Sequence, residues 1–224
     1  MNLSPSGAEQ PTAVLEQLAM QQIRAGQYPA AAELYRQAVS RGDASAAAYS
    51  NLAALEIQAH RIESAAALLE TALQLAPNNA EAWLNLGTVQ HALGRSREAV
   101  DSFRRAAALK PAMAKAYANL GHALQAEQDW PAALEAYRQA LQQQPHYPEV
   151  LSGQGVALRE LGHCQASIAS LEQALAQRAH YPEAMNNLGL SLQEAGSRKR
   201  CTGSSRRSPS APSSRRSWPT SAWP

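Results

Sequence analysis

The sequence predicts an all-α protein, a right-handed superhelical solenoid of antiparallel helical hairpins with about five and a half repeats. Three observations carry that reading. Ala and Leu are abundant while Phe occurs once and Val and Ile are scarce, a balance that favours helices over sheets. The chain repeats itself every 34 residues from Thr12 onward without an insertion. Within each period the apolar residues fall into two sets, each at helical spacing.

The units run 12–45, 46–79, 80–113, 114–147, 148–181 and, in part, 182–196, after a lead-in at 1–11. Positions are counted from the first residue of each unit. In the first unit Leu15, Leu18 and Ala19 mark one helix, Gly26 the turn, and Ala31, Tyr35 and Ala38 a second helix. The second unit repeats this with Tyr49, Leu52, Ala53, then Ala65, Leu69, Ala72, and closes on Pro77. The third has Trp83, Leu86, Gly87, a turn at Gly94, then Ala99, Phe103, Ala106 and Pro111. Tyr117, Leu120, Gly121, then Ala133, Tyr137, Ala140 and Pro145 make the fourth. The fifth departs slightly, with Leu151, Gln154, Gly155, a turn at Gly162, then Ser167, Leu171 and Ala174. The sixth supplies only a first helix, with Met185, Leu188 and Gly189.

Positions 4, 7, 8 and 11 are read as one apolar face of the first helix, and 20, 24 and 27 as one face of the second. Small residues at 8, 20 and 27 let two backbones approach, and the large residue at 24 fills the space beside them. Gly suits the end of the first helix. Pro ends the second because it lacks the N–H needed to continue it. Asp43 and Ala179 stand where other units have that Pro, and Gln154 stands where Leu is expected, which puts the packing of the fifth unit in question. One hairpin cannot bury its own apolar stripe, so stacked neighbours share a core and wind into a superhelix.

Composition narrows the function. The chain has 224 residues, 45% of them apolar and 17% charged. No run of about 18 apolar residues is present to span a bilayer, and the N-terminus lacks the pattern of a secretory signal, so a soluble cytoplasmic protein is expected. The net charge of +2 conceals an asymmetry. Residues 198–216 hold seven Lys or Arg and no acid, which leaves 13 basic against 18 acidic residues elsewhere, a net of −5. An acidic body gives no electrostatic case for nucleic acid. Cys164 and Cys201 are too few for a disulfide framework and lack metal-type spacing. The sequence contains no glycine-rich phosphate loop, nucleophile elbow, HExxH or CxxC, so no catalytic residue and no cofactor is assigned.

The segment AEAWLNLGTVQHALGRSREAVDSFRRAAALKP, Ala80 to Pro111, resembles a tetratricopeptide repeat, and the resemblance extends from Thr12 to Gly196. It implies a non-catalytic scaffold whose first helices line a concave groove that receives an extended peptide or a partner helix. Position 6 reads Gln17, Asn51, Asn85, Asn119, Gly153 and Asn187. Carboxamides both donate and accept, so such a ladder can pair with a peptide backbone with little regard to its sequence. It is similar to the asparagine ladder in the repeats of O-GlcNAc transferases; the alternative is a row of solvated polar residues. Further groove candidates are Glu81, Thr88, Lys115, His122 and Gln125, with His91, Glu149 and Arg159 beside them. The Lys, Asn and Arg set with which some members grip a terminal carboxylate looks absent. His91 and His122 can approach one another, but no third ligand is evident, and no metal site is assigned.

A peptide-binding adaptor is therefore the leading expectation. The alternative is the front end of a larger glycosyltransferase of the O-GlcNAc transferase kind whose catalytic domain is missing. RNA binding through the basic tail is a third class, weakened by the lack of regular SR or RGG units. Residues 197–224 read as a disordered Arg/Ser/Pro tail. They also admit an out-of-frame reading that continues the repeat with Ala, a large apolar residue, Ala and Pro at positions 20, 24, 27 and 32.

Overall fold

The computed structural model describes residues 10–197; the basic tail from residue 198, and its out-of-frame reading, lie outside the described residues. Eleven helices and no strand occur among the described residues. They are α1 (Thr12–Arg24), α2 (Tyr28–Ser40), α3 (Ala46–Gln58), α4 (Ile62–Leu75), α5 (Ala80–Ala92), α6 (Ser96–Leu109), α7 (Ala114–Ala126), α8 (Trp130–Gln143), α9 (Pro148–Glu160), α10 (Cys164–Gln177) and α11 (Pro182–Gly196).

Several helices begin, and the first helices end, for local reasons. Ser45, Asn79 and Asp129 accept a hydrogen bond from the backbone N–H three residues on, at 3.1, 3.1 and 3.2 Å, and so cap α3, α5 and α8. Pro148 and Pro182 open α9 and α11, where a missing N–H costs nothing. Every first helix that leads into a second ends in the same turn. The residue at position 15 takes a positive φ, at Gly26 (75°), His60 (57°), Gly94 (74°), Gln128 (59°) and Gly162 (81°). The next N–H reaches back to the carbonyl of position 11, as in Arg95 to Gln90 at 2.8 Å. This is the Schellman geometry. Two of the five sites are built without Gly, so the backbone is strained at His60 and Gln128.

Each helix packs on the next in sequence, and the odd-numbered helices α3, α5, α7, α9 and α11 also touch one another in turn. The even-numbered helices make no comparable contacts among themselves. The odd helices are therefore the inner, more tightly curved layer and the even helices the outer one. The core runs along this array as a chain of clusters between hairpins, with Tyr35, Leu69, Phe103, Tyr137 and Leu171, all at position 24, fully buried. A Cβ added at Gly87 would lie 2.7 Å from the Phe103 ring, and one at Gly155 would lie 2.6 Å from Leu171 Cγ. The small residue at position 8 is thus the socket for the large residue at 24.

Position 11 is apolar and buried at Leu124 and Leu158 but polar in the first three units. Glu56 and Gln90 occupy it and are buried, and Gln22 is half-buried. Glu56 survives burial because Arg61 and Arg36 both hold its carboxylate, the latter through Nη2 at 3.0 Å. Gln90 accepts from Ser102 Oγ at 2.6 Å. The departures of the outer units are compensated in the same way. Ser170 donates to Gln154 Oε1 at 3.1 Å, and Thr12 donates to Asp43 Oδ1 at 2.6 Å, tying the start of the first unit to its end.

Candidate peptide-binding face

The inner layer brings positions 2, 6, 9, 12 and 13 of consecutive first helices into neighbouring rows, because residues three and four apart share a helix face. Two cavities open in this layer. The first, about 410 Å³, lies between α1 and α3 and is lined by Gln17, Met20, Arg24 and Asn51, with Tyr35 at its base. The second, about 440 Å³, is lined by His91 on α5, His122 and Gln125 on α7, and Gln128 and Trp130 beyond.

The amides at position 6 are not equivalent. Asn51 donates to Tyr35 Oη at 2.9 Å, so part of its capacity is spent inside the molecule. Asn119 makes a long contact of 3.4 Å to Thr88 Oγ1, whose proton goes to the Leu84 carbonyl at 2.9 Å. Asn85 and Asn187 are half-buried on α5 and α11, and their side chains make no hydrogen bond among the described residues. The interruption at Gly153 has a steric cause. A Cβ there would stand 2.7 Å from Tyr137 Cζ and 2.8 Å from its Oη, so the tyrosine of the fourth unit occupies the space of the missing rung.

The remaining candidates divide. Glu81 pairs with Lys110 at 3.2 Å, and Glu149 pairs with Arg178 at 3.0 Å in the fifth unit. Both ion pairs join position 2 to position 31 of the same unit at the exposed edge of the hairpin, where such pairs are worth little. Lys115 is exposed and makes no ion pair among the described residues. Arg159 is largely covered and contacts Glu160 at 2.9 Å. His122 and Gln125 converge on one atom, Tyr137 Oη, at 3.0 Å from His122 Nδ1 and 2.9 Å from Gln125 Oε1. Burial holds the His122 imidazole below the usual histidine range; nearby His91 adds to this and Glu149 opposes it. Burial likewise pushes the Tyr137 hydroxyl well up. No group of three or more His, Cys, Asp or Glu able to hold a metal occurs among the described residues. No helix among them is long and apolar enough to cross a membrane.

Sequence reasoning missed Met20 and Arg24 as lining residues and missed the two position-24 tyrosines as partners of the inner face. A polar tip on a residue assigned wholly to the core was the available signal, since a buried Tyr hydroxyl needs a partner.

Small residues at 8, 20 and 27, a large one at 24 and a left-handed residue at 15 define a tetratricopeptide-repeat protein. The family model described as "Cytochrome c-type biogenesis protein H TPR domain" matches residues 53–179, more than half of the chain, and the chain belongs to that family. Among solved structures it is similar to YrrB, described as "a TPR protein with an unusual peptide-binding site", at a TM-score of 0.70 and 20% identity, covering 77% of this chain and 89% of that one. It is also similar to MamA, at a TM-score of 0.69 and 20% identity, covering 75% and 92%. MamA 41-end from Desulfovibrio magneticus RS-1 matches at 0.68 and 15% identity, covering 75% and 95%. These likenesses describe the fold. No curated protein sequence matches the chain.

Proposed function

We propose that the protein is a non-catalytic interaction scaffold that holds an extended peptide, or a segment of a partner protein, along the inner face of its odd-numbered helices. The observation that carries this reading is the pair of cavities between consecutive first helices, at the α1–α3 and α5–α7 steps, both open on the inner face and lined by polar as well as apolar side chains. A surface that is concave, mixed in polarity and repeated at a fixed spacing suits a chain with its own regular backbone spacing. YrrB, of the same fold, is described as having a peptide-binding site, which supports the reading by analogy. The likeness of the amide ladder to that of O-GlcNAc transferases belongs to the same proposal. In it Asn85 and Asn187, with no side-chain hydrogen bond among the described residues, bind backbone amides, while Asn51 and Asn119 contribute less. No cofactor enters this function.

The test is selection of peptides from a displayed random library on the full chain, followed by affinity measurement on substituted proteins. Asn85→Ala with Met20→Glu on the inner face is expected to weaken the selected peptides. Arg104→Ala on α6, in the outer layer, is expected to leave them unchanged. Peptides that respond only to the outer substitution would overturn the assignment of the face.

A further inference from the structure

The hydroxyl of Tyr137 is handled differently from that of Tyr35, although both stand at position 24. Tyr35 Oη receives its hydrogen bond from Asn51, at position 6 of the following unit. In the fourth unit the following position 6 is Gly153, and the hydroxyl is met by positions 9 and 12 of its own unit, His122 at 3.0 Å and Gln125 at 2.9 Å. The ring has no freedom to leave. It is fully buried, and Cβ atoms built at Gly121 and Gly153 would both fall within van der Waals contact of it. The His122 ring stands edge-on to it, with centroids 5.3 Å apart.

A phenol carries one proton, and two neighbours share it. If the proton goes to Gln125 Oε1, His122 Nδ1 must carry its own proton to serve the hydroxyl oxygen. His122 Nε2 then offers a lone pair to the cavity, and the Gln125 NH2 offers protons. If the Gln125 amide is turned over, its NH2 donates to the hydroxyl, the phenol proton goes to His122 Nδ1, and Nε2 carries a proton. His122 then offers a donor and Gln125 an acceptor. Both arrangements agree on one point. The relay through Tyr137 leaves the two outward groups opposite in kind, one donor and one acceptor. Neither group has a further partner among the described residues, and both line the 440 Å³ cavity with His91 and Trp130.

We propose that this cavity is an amide-recognition subsite, in which Tyr137 positions His122 and Gln125 to bind the N–H and C=O of one amide group of the partner. It rests on the inner face being the peptide-binding face and adds the chemical class of group taken at this step of it. A carboxylate has acceptors alone and an ammonium donors alone, so each leaves one member of the pair desolvated and unmet. A neutral amide meets both. The low proton affinity of His122 favours the same choice, because a charged imidazolium would instead select a carboxylate. The amide can come from an Asn or Gln side chain or from the peptide backbone, and the two sources differ in whether the nitrogen is substituted.

The experiment titrates the full chain, isotopically labelled, with propionamide, N-methylpropionamide and propionate at pH 7.5, following the His122 ring nitrogens and the Gln125 side-chain amide by NMR. Propionamide is expected to move both sets of signals together, with propionate weaker by about five-fold or more, the effect of one lost hydrogen bond. Equal response to N-methylpropionamide assigns the site to backbone amides; response to propionamide alone assigns it to side-chain carboxamides. Tyr137→Phe is expected to reduce the preference for amide over carboxylate to less than about two-fold by freeing both neighbours. Should that variant not fold, Gln125→Met removes one member of the pair at a half-exposed position and is expected to weaken propionamide by a similar about five-fold. Propionate binding as tightly as propionamide, or His122 and Gln125 signals unmoved by any probe, would overturn the proposal. Selected peptides that still shift Met20 and Asn85 in that case leave the inner-face reading standing, and peptides that shift only even-numbered helices sink both.

Discussion

Replacing one glycine at position 8 of four successive units should give changes of opposite sign, and the structure says where the sign turns. In a helix interior Ala is favoured over Gly by about 1 kcal/mol, so each Gly→Ala change begins with a gain of that size. Against it stands the space available to the new methyl. At Gly121 the Cβ would fall 2.6 Å from Tyr137 Cδ1 and 2.9 Å from Cζ, and nearer still to Cε1. The ring cannot retreat, because Gly153 closes the other side of it at 2.7 Å from Cζ. Overpacking of a rigid buried ring lies at the upper end of the usual range, about 3 kcal/mol, so Gly121→Ala should destabilise by about 2 kcal/mol net. Gly87→Ala and Gly155→Ala meet Phe103 and Leu171 at 2.7 and 2.6 Å without a second glycine closing the far side in the same way, and should cost about 1 kcal/mol or less net. At Gly189 nothing stands within 4 Å, because α11 has no second helix across it among the described residues, and Gly189→Ala should stabilise by up to about 1 kcal/mol. Thermal unfolding followed by circular dichroism reads these as a fall of about 4–8 °C for Gly121→Ala and a small rise for Gly189→Ala. A Gly121→Ala protein as stable as the parent, or a Gly189→Ala protein less stable than Gly121→Ala, would refute the socket account of position 8.

His60, at φ 57°, should be improved by Gly, since relief of the left-handed strain outweighs the added chain entropy; a gain of about 0.5 kcal/mol is expected in a denaturant midpoint. Asn51→Ala should cost about 1 kcal/mol because it strips the hydrogen bond from the buried Tyr35 hydroxyl, while Asn85→Ala should leave stability within about 0.5 kcal/mol; equal losses in urea melts would show that the rungs are alike after all. Glu56→Ala should cost about 2 kcal/mol by removing the carboxylate that joins Arg36 and Arg61, read in the same melts. Stability should also depend on pH in two windows. His122 has a folded pKa below its unfolded value, so its contribution is present above about 6.5 and is lost as pH falls through the folded pKa, because the unfolded chain takes up the proton first. Glu56 is held down mainly by its hydrogen bond to Arg61, with Arg36 assisting against burial, so its contribution is present above about 4.5 and lost as pH falls below that. A His122→Phe protein should show a flatter profile in the first window only, and an unchanged profile there would count against the buried neutral imidazole.

The hairpin, its period and the residues that fill it were legible because they are local. A helix face is a matter of spacing three and four residues apart, and Gly26, Gly94 and Gly162 announce the turn that the backbone then makes. His60 and Gln128 make the same turn without announcing it, since the hydrogen bonds of the flanking helices impose the conformation on whatever residue stands there. Glu56 and Gln90 stand at position 11, on the face that the spacing assigns to the core, but the spacing does not show how polar groups are accommodated there. The fold supplies that by bringing Arg36, Arg61 and Ser102 against them.

What the sequence by itself determined is the all-α repeat and the pairing of small and large residues at positions 8 and 24; that the first helices form the inner layer came from the family resemblance and from the packing of the odd-numbered helices. What only the tertiary structure decided is which inner-face groups are left to bind anything. Asn51 and Asn85 are indistinguishable in the repeat alignment, yet one is held by Tyr35 and the other is not, and Gly153 gains its meaning only from the tyrosine ring that lies against it. Those relations join residues of neighbouring hairpins, 16 apart for Tyr35 and Asn51. They depend on how far each large side chain reaches across the stack, a distance set by packing between units and not by the spacing of residues along any one helix.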